Sequence, residues 1–203
     1  MLEKTDVLLK KFAESRKEQV DNVKYNLFLR FESKKDKYFG KCVINFFLKD
    51  KKQGVVLESI SNVRSALVNG KKAKYEKEKF TTKFAEGLEE GKENAIEIEY
   101  DADYDHTGDG LHKFIDTEDG SEYIYSNFEP YDAHRMFPCF DQPDIKANFK
   151  LNIEIPSKWK AISNENGEEK INKEIKTIVF SETKKISTYL FHISAGNYEF
   201  FED

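Results

Sequence analysis

Residues 149–155 alternate with a strict period of two: Phe149, Leu151, Ile153 and Ile155 are apolar, and Lys150, Asn152 and Glu154 between them are not. Side chains along a strand point to opposite faces in turn, so this segment fits a sheet with one covered face and one wet face, and it fits no helix. The pattern recurs at Tyr25, Leu27, Leu29 and Phe31, at Cys42, Ile44, Phe46 and Leu48, and at Ile96, Ile98 and Tyr100. Further runs of β-forming residues lie at 55–60, 63–68, 159–163, 175–180 and 189–195. Turn chemistry separates them, as at Asn69-Gly70 and Asn164-Glu165-Asn166-Gly167. Nine or more short strands with little helix after residue 23 predict an all-β fold, an antiparallel β-sandwich or saddle-shaped sheet.

The start of the chain reads differently. Residues 5–19 are good helix formers, with Asp6 near the start and Val7, Leu8 and Phe12 spaced to share a face, which predicts a short N-terminal helix. The expected organisation is a helical extension over residues 1–22 followed by one β domain over residues 23–203. No internal repeat or Pro-, Gly- or Ser-rich linker interrupts that domain.

The charge balance restricts partners. With 33 basic and 38 acidic residues the formal net charge is −5, and the two signs are interspersed. No basic stripe is available to neutralise phosphates, which argues against a nucleic-acid binder. No apolar run approaches the roughly 18 to 20 residues of a bilayer span, and residues 1–23 do not read as a secretory signal, so the expected compartment is cytoplasmic. The 17 Phe and 10 Tyr suffice for a core, and disorder is expected only near charge-rich stretches such as residues 71–83. Strand alternation assigns most of these rings to the interior, which leaves little support for a carbohydrate-binding face.

Candidate catalytic groups are sparse. Cys42 and Cys139 lie among apolar neighbours and read as buried thiols. His106, His112, His134 and His192 form no H-E-x-x-H or other ligand pair and read as loop histidines on the surface. There is no P-loop, nucleophile elbow or dinucleotide fingerprint. The densest unusual chemistry is in residues 123–147, which hold three of the four prolines, Pro130, Pro138 and Pro143. Within this stretch Arg135 and Asp141 have opposite charges and are expected to pair and pin the loop. Glu129, before Pro130 at the end of an aromatic strand, can present its carboxylate at a sheet end and accept charge-assisted hydrogen bonds from an amine.

The run Asn127-Phe128-Glu129-Pro130-Tyr131-Asp132-Ala133-His134-Arg135-Met136-Phe137-Pro138-Cys139-Phe140-Asp141-Gln142-Pro143 resembles the end of the N-terminal domain of aminopeptidase N-type zinc metallopeptidases. Thr107-Gly108-Asp109-Gly110-Leu111-His112-Lys113-Phe114 resembles the loop before it, and Tyr125, Lys146-Ala147 and residues 186–190 are similar to family positions as well. The resemblance covers about residues 20–203. In that family the zinc ligands and general base come from an H-E-x-x-H helix plus a downstream Glu, and a Gly-x-Met-Glu-Asn motif binds the substrate amine. Neither motif is present in this sequence.

The resemblance therefore implies a non-catalytic domain that packs on a catalytic domain of the same enzyme. It implies no cofactor in this chain, zinc in the catalytic portion, and a peptide N-terminus as the ligand. Glu129 matches the carboxylate that helps hold the substrate's α-ammonium group. Asn127 stands where family members often carry Gln and is expected to reach the first substrate residue with an amide one methylene shorter. The alternative is a stand-alone scaffold domain that keeps the fold and captures a protein partner.

Overall fold

The computed structural model describes residues 6–51, 53–199 and 201. One helix, α1 (Lys10–Gln19), leads directly into β1 (Val20–Arg30), because Val20 already has extended backbone angles. The strands that follow are β2 (Lys37–Leu48), β3 (Val55–Glu58), β4 (Asn62–Val68), β5 (Lys71–Lys72), β6 (Glu76–Lys77), β7 (Thr81–Phe84), β8 (Lys92–Asp103), β9 (Gly110–Ile115) and β10 (Glu122–Asn127). The last five are β11 (Asn148–Pro156), β12 (Lys160–Ser163), β13 (Gly167–Asn172), β14 (Ile175–Phe180) and β15 (Ile193–Gly196). Short 3₁₀ turns occupy Ala133–Arg135 and Thr188–Leu190.

The strands form three sheets, and the all-β expectation holds. A large sheet has the order β13-β14-β11-β1-β2-β8-β4-β5, a four-stranded sheet has β12-β15-β10-β9, and a small one has β3-β7-β6. Pairing is antiparallel except between β1 and β11, which run parallel with Tyr25 beside Phe149. Their rings stack with centroids 4.8 Å apart. The period-two pattern produces this packing directly: Tyr25, Leu27, Leu29 and Phe31 are all buried, while Asn26 and Arg30 are exposed. Each such side chain removed from water contributes about 1.5 to 3 kcal/mol before the entropy of ordering is counted.

Close packing also explains a glycine inside a long strand. Gly40 of β2 sits opposite Tyr100 of β8, and a Cβ added there would lie 2.2 Å from the Tyr100 ring. The phenol covers the bare backbone, so no other residue fits without displacing it.

Three expectations are corrected. The helix begins at Lys10 rather than residue 5. Val7 precedes the helix and is exposed, and residue 5 lies outside the described residues. Charge-rich residues 71–83 are ordered, because β5 pairs with β4 while β6 pairs with β7, which in turn pairs with β3. Backbone pairing onto existing strands compensates for the scarcity of apolar side chains there. At residues 188–190 a 3₁₀ turn stands where a strand was expected to begin.

Candidate functional site

β10 lies between β9 and β15, and its register sets out one face of the four-stranded sheet. Directly paired residues share a face, so His112, Tyr125, Ser194 and Ile162 form one row across the sheet. Phe114, Tyr123, Gly196 and Lys160 form the next. Gly110 and Asn127 extend the face at the end where the chain leaves β10. The opposite face is covered, with Ile124 and Ala195 buried beside the ion pair of Lys113 and Glu122 at 2.6 Å. The open face holds half-exposed aromatics: Phe114 stacks near Tyr123 at 6.3 Å and His112 lies 4.9 Å from Tyr125.

Past the end of β10 the chain splits its side chains between core and solvent. Phe128 is buried, with its ring 6.3 Å from Phe137 in an edge-on contact. Glu129 is exposed, joined to Pro130 by a cis peptide bond, and makes no hydrogen bond or ion pair with another described residue. Asn127 is also exposed, and its Nδ2 donates to the Gly108 carbonyl at 3.1 Å, which ties the loop before β9 to the end of β10. The two residues singled out from sequence thus stand at the same sheet end, one free and one partly committed.

The segment carrying Glu129 is held from several strands at once. The Asp132 N–H donates to the Phe128 carbonyl at 3.0 Å, which closes the turn after Glu129. The Tyr38 hydroxyl donates to the Met136 carbonyl at 2.7 Å, and the Phe140 N–H donates to the Tyr25 hydroxyl at 2.9 Å. Glu58 of β3 exchanges backbone hydrogen bonds with Cys139, at 2.9 and 3.1 Å. Such multiple anchoring of an irregular path fixes a presented side chain better than a free loop would.

Two expectations about this segment are corrected. Arg135 does not pair with Asp141: its Nε donates to Asp132 at 2.6 Å, and its other nitrogens face Asp105 at 3.3 Å and Asp6 at 3.5 Å. Asp141 instead bonds His134, accepting from the His134 backbone N–H at 3.0 Å and lying 2.8 Å from Nδ1, and it accepts from the Thr188 hydroxyl at 2.7 Å. His134 is therefore no surface histidine but fully buried. Burial alone would lower its pKa, yet the hydrogen bond and charge of Asp141, with the charges of Asp6 and Glu58, raise it. Asp105 is held below the usual carboxylate range, because bonds from Thr107 and the charge of Arg135 outweigh its partial burial.

The sequence reasoning missed a second buried group beneath this segment. Arg16 of α1 is 2% exposed, donates from Nη1 to both Glu58 carboxylate oxygens and from Nε to Gln142 Oε1 at 3.0 Å. Burial pushes the Glu58 carboxyl up, against the pull of Arg16 and of the Asp141 N–H. A single arginine among the lysines and glutamates of a helix carries no local mark of such burial.

No zinc site is formed by the described residues, since none of their His, Cys, Asp and Glu side chains converge in a group of three or more that could hold a metal ion. His106 and His112 approach to 6.3 Å between ring centroids, but the Gly108 N–H donates to His112 Nδ1. His192 is occupied as well, contacting the Ser126 and Ser194 hydroxyls at 3.2 and 2.9 Å, and burial lowers its pKa. These donor sets do not fit zinc.

Known proteins are similar to this chain in sequence and in fold. "Probable aminopeptidase 1" of Sulfurisphaera tokodaii is 31% identical over 189 residues, covering 89% of this chain and 22% of its own length. "Aminopeptidase N" of Streptomyces lividans is 39% identical over 106 residues, covering 52% of this chain and 12% of its own. This chain thus spans less than a quarter of either relative. The crystal structure of the M1 zinc metallopeptidase from Deinococcus radiodurans superposes with a TM-score of 0.74 at 20% identity, covering 88% of this chain and 42% of that one, which shows a common fold. No helix among the described residues is long and apolar enough to cross a membrane. The family described as Peptidase M1 N-terminal domain matches residues 21–190, and the chain belongs to that family.

Proposed function

We propose that this chain forms one wall of the peptide-binding cleft of a zinc aminopeptidase, and that Glu129 accepts hydrogen bonds from the substrate's α-ammonium group. The observation that carries the reading is the state of Glu129: an exposed carboxylate at the end of β10, on a multiply anchored segment, with no competing partner among the described residues. A free amine distinguishes a peptide's first residue from its interior, and an anionic acceptor selects for it. Asn127 adds a second contact through Oδ1, while Gly108 holds its Nδ2.

The partner in this reading is the catalytic portion of the same enzyme, which carries the zinc and covers the aromatic face of β9 and β10. Residues 1–22 act as an extension of the β domain over residues 23–203. A cytoplasmic location belongs to the same reading and is supported by two buried, unpaired thiols, Cys42 and Cys139. The chain alone releases no amino acids. The scaffold alternative draws support from the exposure of Phe114 and Ile162, at 50% and 48%. Light scattering on the isolated chain separates a monomer from self-association through that face.

The test is Glu129→Ala in the polypeptide that carries both portions. Transition-state binding should weaken by about 1 to 3 kcal/mol, the scale for losing a hydrogen bond to a charged group. Unchanged KM and kcat would make Glu129 an ordinary solvated side chain.

A further inference from the structure

The helix α1 has an unusual basis for its position. Arg16 is its only fully buried residue, so the apolar stripe that normally seats a helix is missing. What seats it instead is a set of polar contacts: Gln19 at its end donates to the Asp50 and Gly54 carbonyls, and the rest converge on the loop after β10 and on Glu58 beside it. Arg16 reaches Gln142 and Glu58, and the Gln142 Nε2 returns a hydrogen bond to the Ala13 carbonyl at 2.9 Å. Lys17 Nζ donates to the Asp144 carbonyl. The Arg16 guanidinium lies 4.8 Å from the Phe12 ring centroid and 5.9 Å from that of Phe140.

These contacts continue toward the presented carboxylate. Glu58, neutralised by Arg16, accepts from the Asp141 N–H at 3.0 Å, and Asp141 in turn holds both the backbone N–H and the imidazole of His134. At the other end of the N-terminal segment, the Asp6 carboxylate lies 3.0 Å from His134 Nε2 and 3.5 Å from Arg135 Nη2. Residues 6–17 therefore touch the loop at 134–135 and again at Phe140, Gln142 and Asp144. The family match begins at residue 21, after this segment.

We infer that the N-terminal segment is a strap that sets the loop of residues 129–142, and that Arg16 is a positioning residue acting on Glu129 through Glu58, Asp141 and His134. A guanidinium is taken out of water here at high cost, and the four groups it orders all belong to, or directly hold, that loop. Removing Arg16 leaves Glu58 buried without its counter-ion, and the neighbouring loop is what relaxes. The amine-anchoring consequence rests on the function proposed above. The ordering of the loop does not.

The experiment combines two readouts on Arg16→Met, Glu129→Gln and the double variant. In the chain itself, hydrogen exchange should speed up at residues 129–142 in Arg16→Met and stay unchanged in the β1–β2–β8 strands. In the polypeptide that includes the catalytic portion, Arg16→Met should raise KM for an aminoacyl substrate about tenfold, since small displacements of a binding group cost that much or more. The double variant should then be no worse than Glu129→Gln alone. Gln142→Met cuts the tether from the loop side while leaving the Arg16–Glu58 pair intact, and should give the same local pattern even if Arg16→Met does not fold. Unchanged protection of residues 129–142 in Gln142→Met, acceleration spread evenly over all strands, or, where Glu129→Gln itself raises KM, multiplicative effects of Arg16→Met and Glu129→Gln would each overturn the strap. If Glu129→Gln alone leaves KM unchanged while exchange in the loop still responds, the amine-anchoring function fails and the strap stands.

Discussion

His134 Nδ1 and Asp141 Oδ2 lie 2.8 Å apart with both side chains wholly excluded from water. This pair joins the turn after Pro130 to the end of the same loop, and it is one of the anchors, with those from Tyr38, Tyr25 and Glu58, that hold an irregular, proline-rich segment on one path. Because Asp141 makes the folded chain hold the His134 proton more tightly than burial alone would allow, the pair makes stability depend on pH.

The folded pKa of His134 is raised above its ordinary value of 6.5, chiefly by Asp141 against the opposing effect of burial. A raised pKa means that the folded state binds the proton more tightly than the unfolded chain does. The contribution is complete below about pH 6.5 and is lost as pH climbs through the raised folded value. Urea denaturation should show the native chain losing stability relative to His134→Gln between about pH 6 and the alkaline end of that transition. A difference between the two proteins that is flat in pH would show that the imidazole does not titrate with folding.

Gly40→Ala should destabilise the chain by about 1 to 3 kcal/mol or more, the cost of forcing atoms into a filled core. The added methyl would meet the Tyr100 ring, which cannot swing away without opening the interface between β2 and β8. The companion variant Gly40→Ala with Tyr100→Leu should recover part of the loss. Thermal melts in which Gly40→Ala matches the native chain would contradict the packing described for this strand pair.

Cys42 and Cys139 are buried, and burial pushes both thiols up, away from the thiolate form that reacts. Iodoacetamide at pH 8 should leave both unmodified in the native chain and alkylate both in urea. Mass spectrometry reads the outcome, and equal rates in the two conditions would place the thiols at the surface.

Much of the fold was legible because burial follows alternation. The strand from Tyr25 to Phe31 and the one from Phe149 to Ile155 each put the expected side chains in the core. The edge strand β13, in which every residue is exposed, escaped notice because a strand with no buried face has no alternation to show. The same holds for β5 and β6, two-residue strands with every side chain exposed, which exist through backbone pairing with the adjacent strands β4 and β7.

At the candidate site, the sheet-end position and exposure expected for Glu129 match the structure, since a strand end before a proline is a local property. The pairing of Arg135 was misread because Asp132, three residues before it, takes its Nε, while Asp6 and Asp105 come from separate parts of the chain. Asp6, read as near the helix start, lies four residues before the helix, facing His134 and Arg135. Buried ion pairs such as Arg16–Glu58 leave no trace in local sequence, because each charge alone looks solvated.

The central claim, that Glu129 reads a free amine, is tested most directly by inhibitor binding to the polypeptide that unites this domain with its catalytic portion. An amino acid hydroxamate and its des-amino counterpart would be titrated against the native protein and Glu129→Ala. The account predicts that native protein prefers the amine-bearing compound and that the variant loses about tenfold or more of that preference, with affinity for the des-amino compound unchanged. An equal preference in both proteins would contradict it.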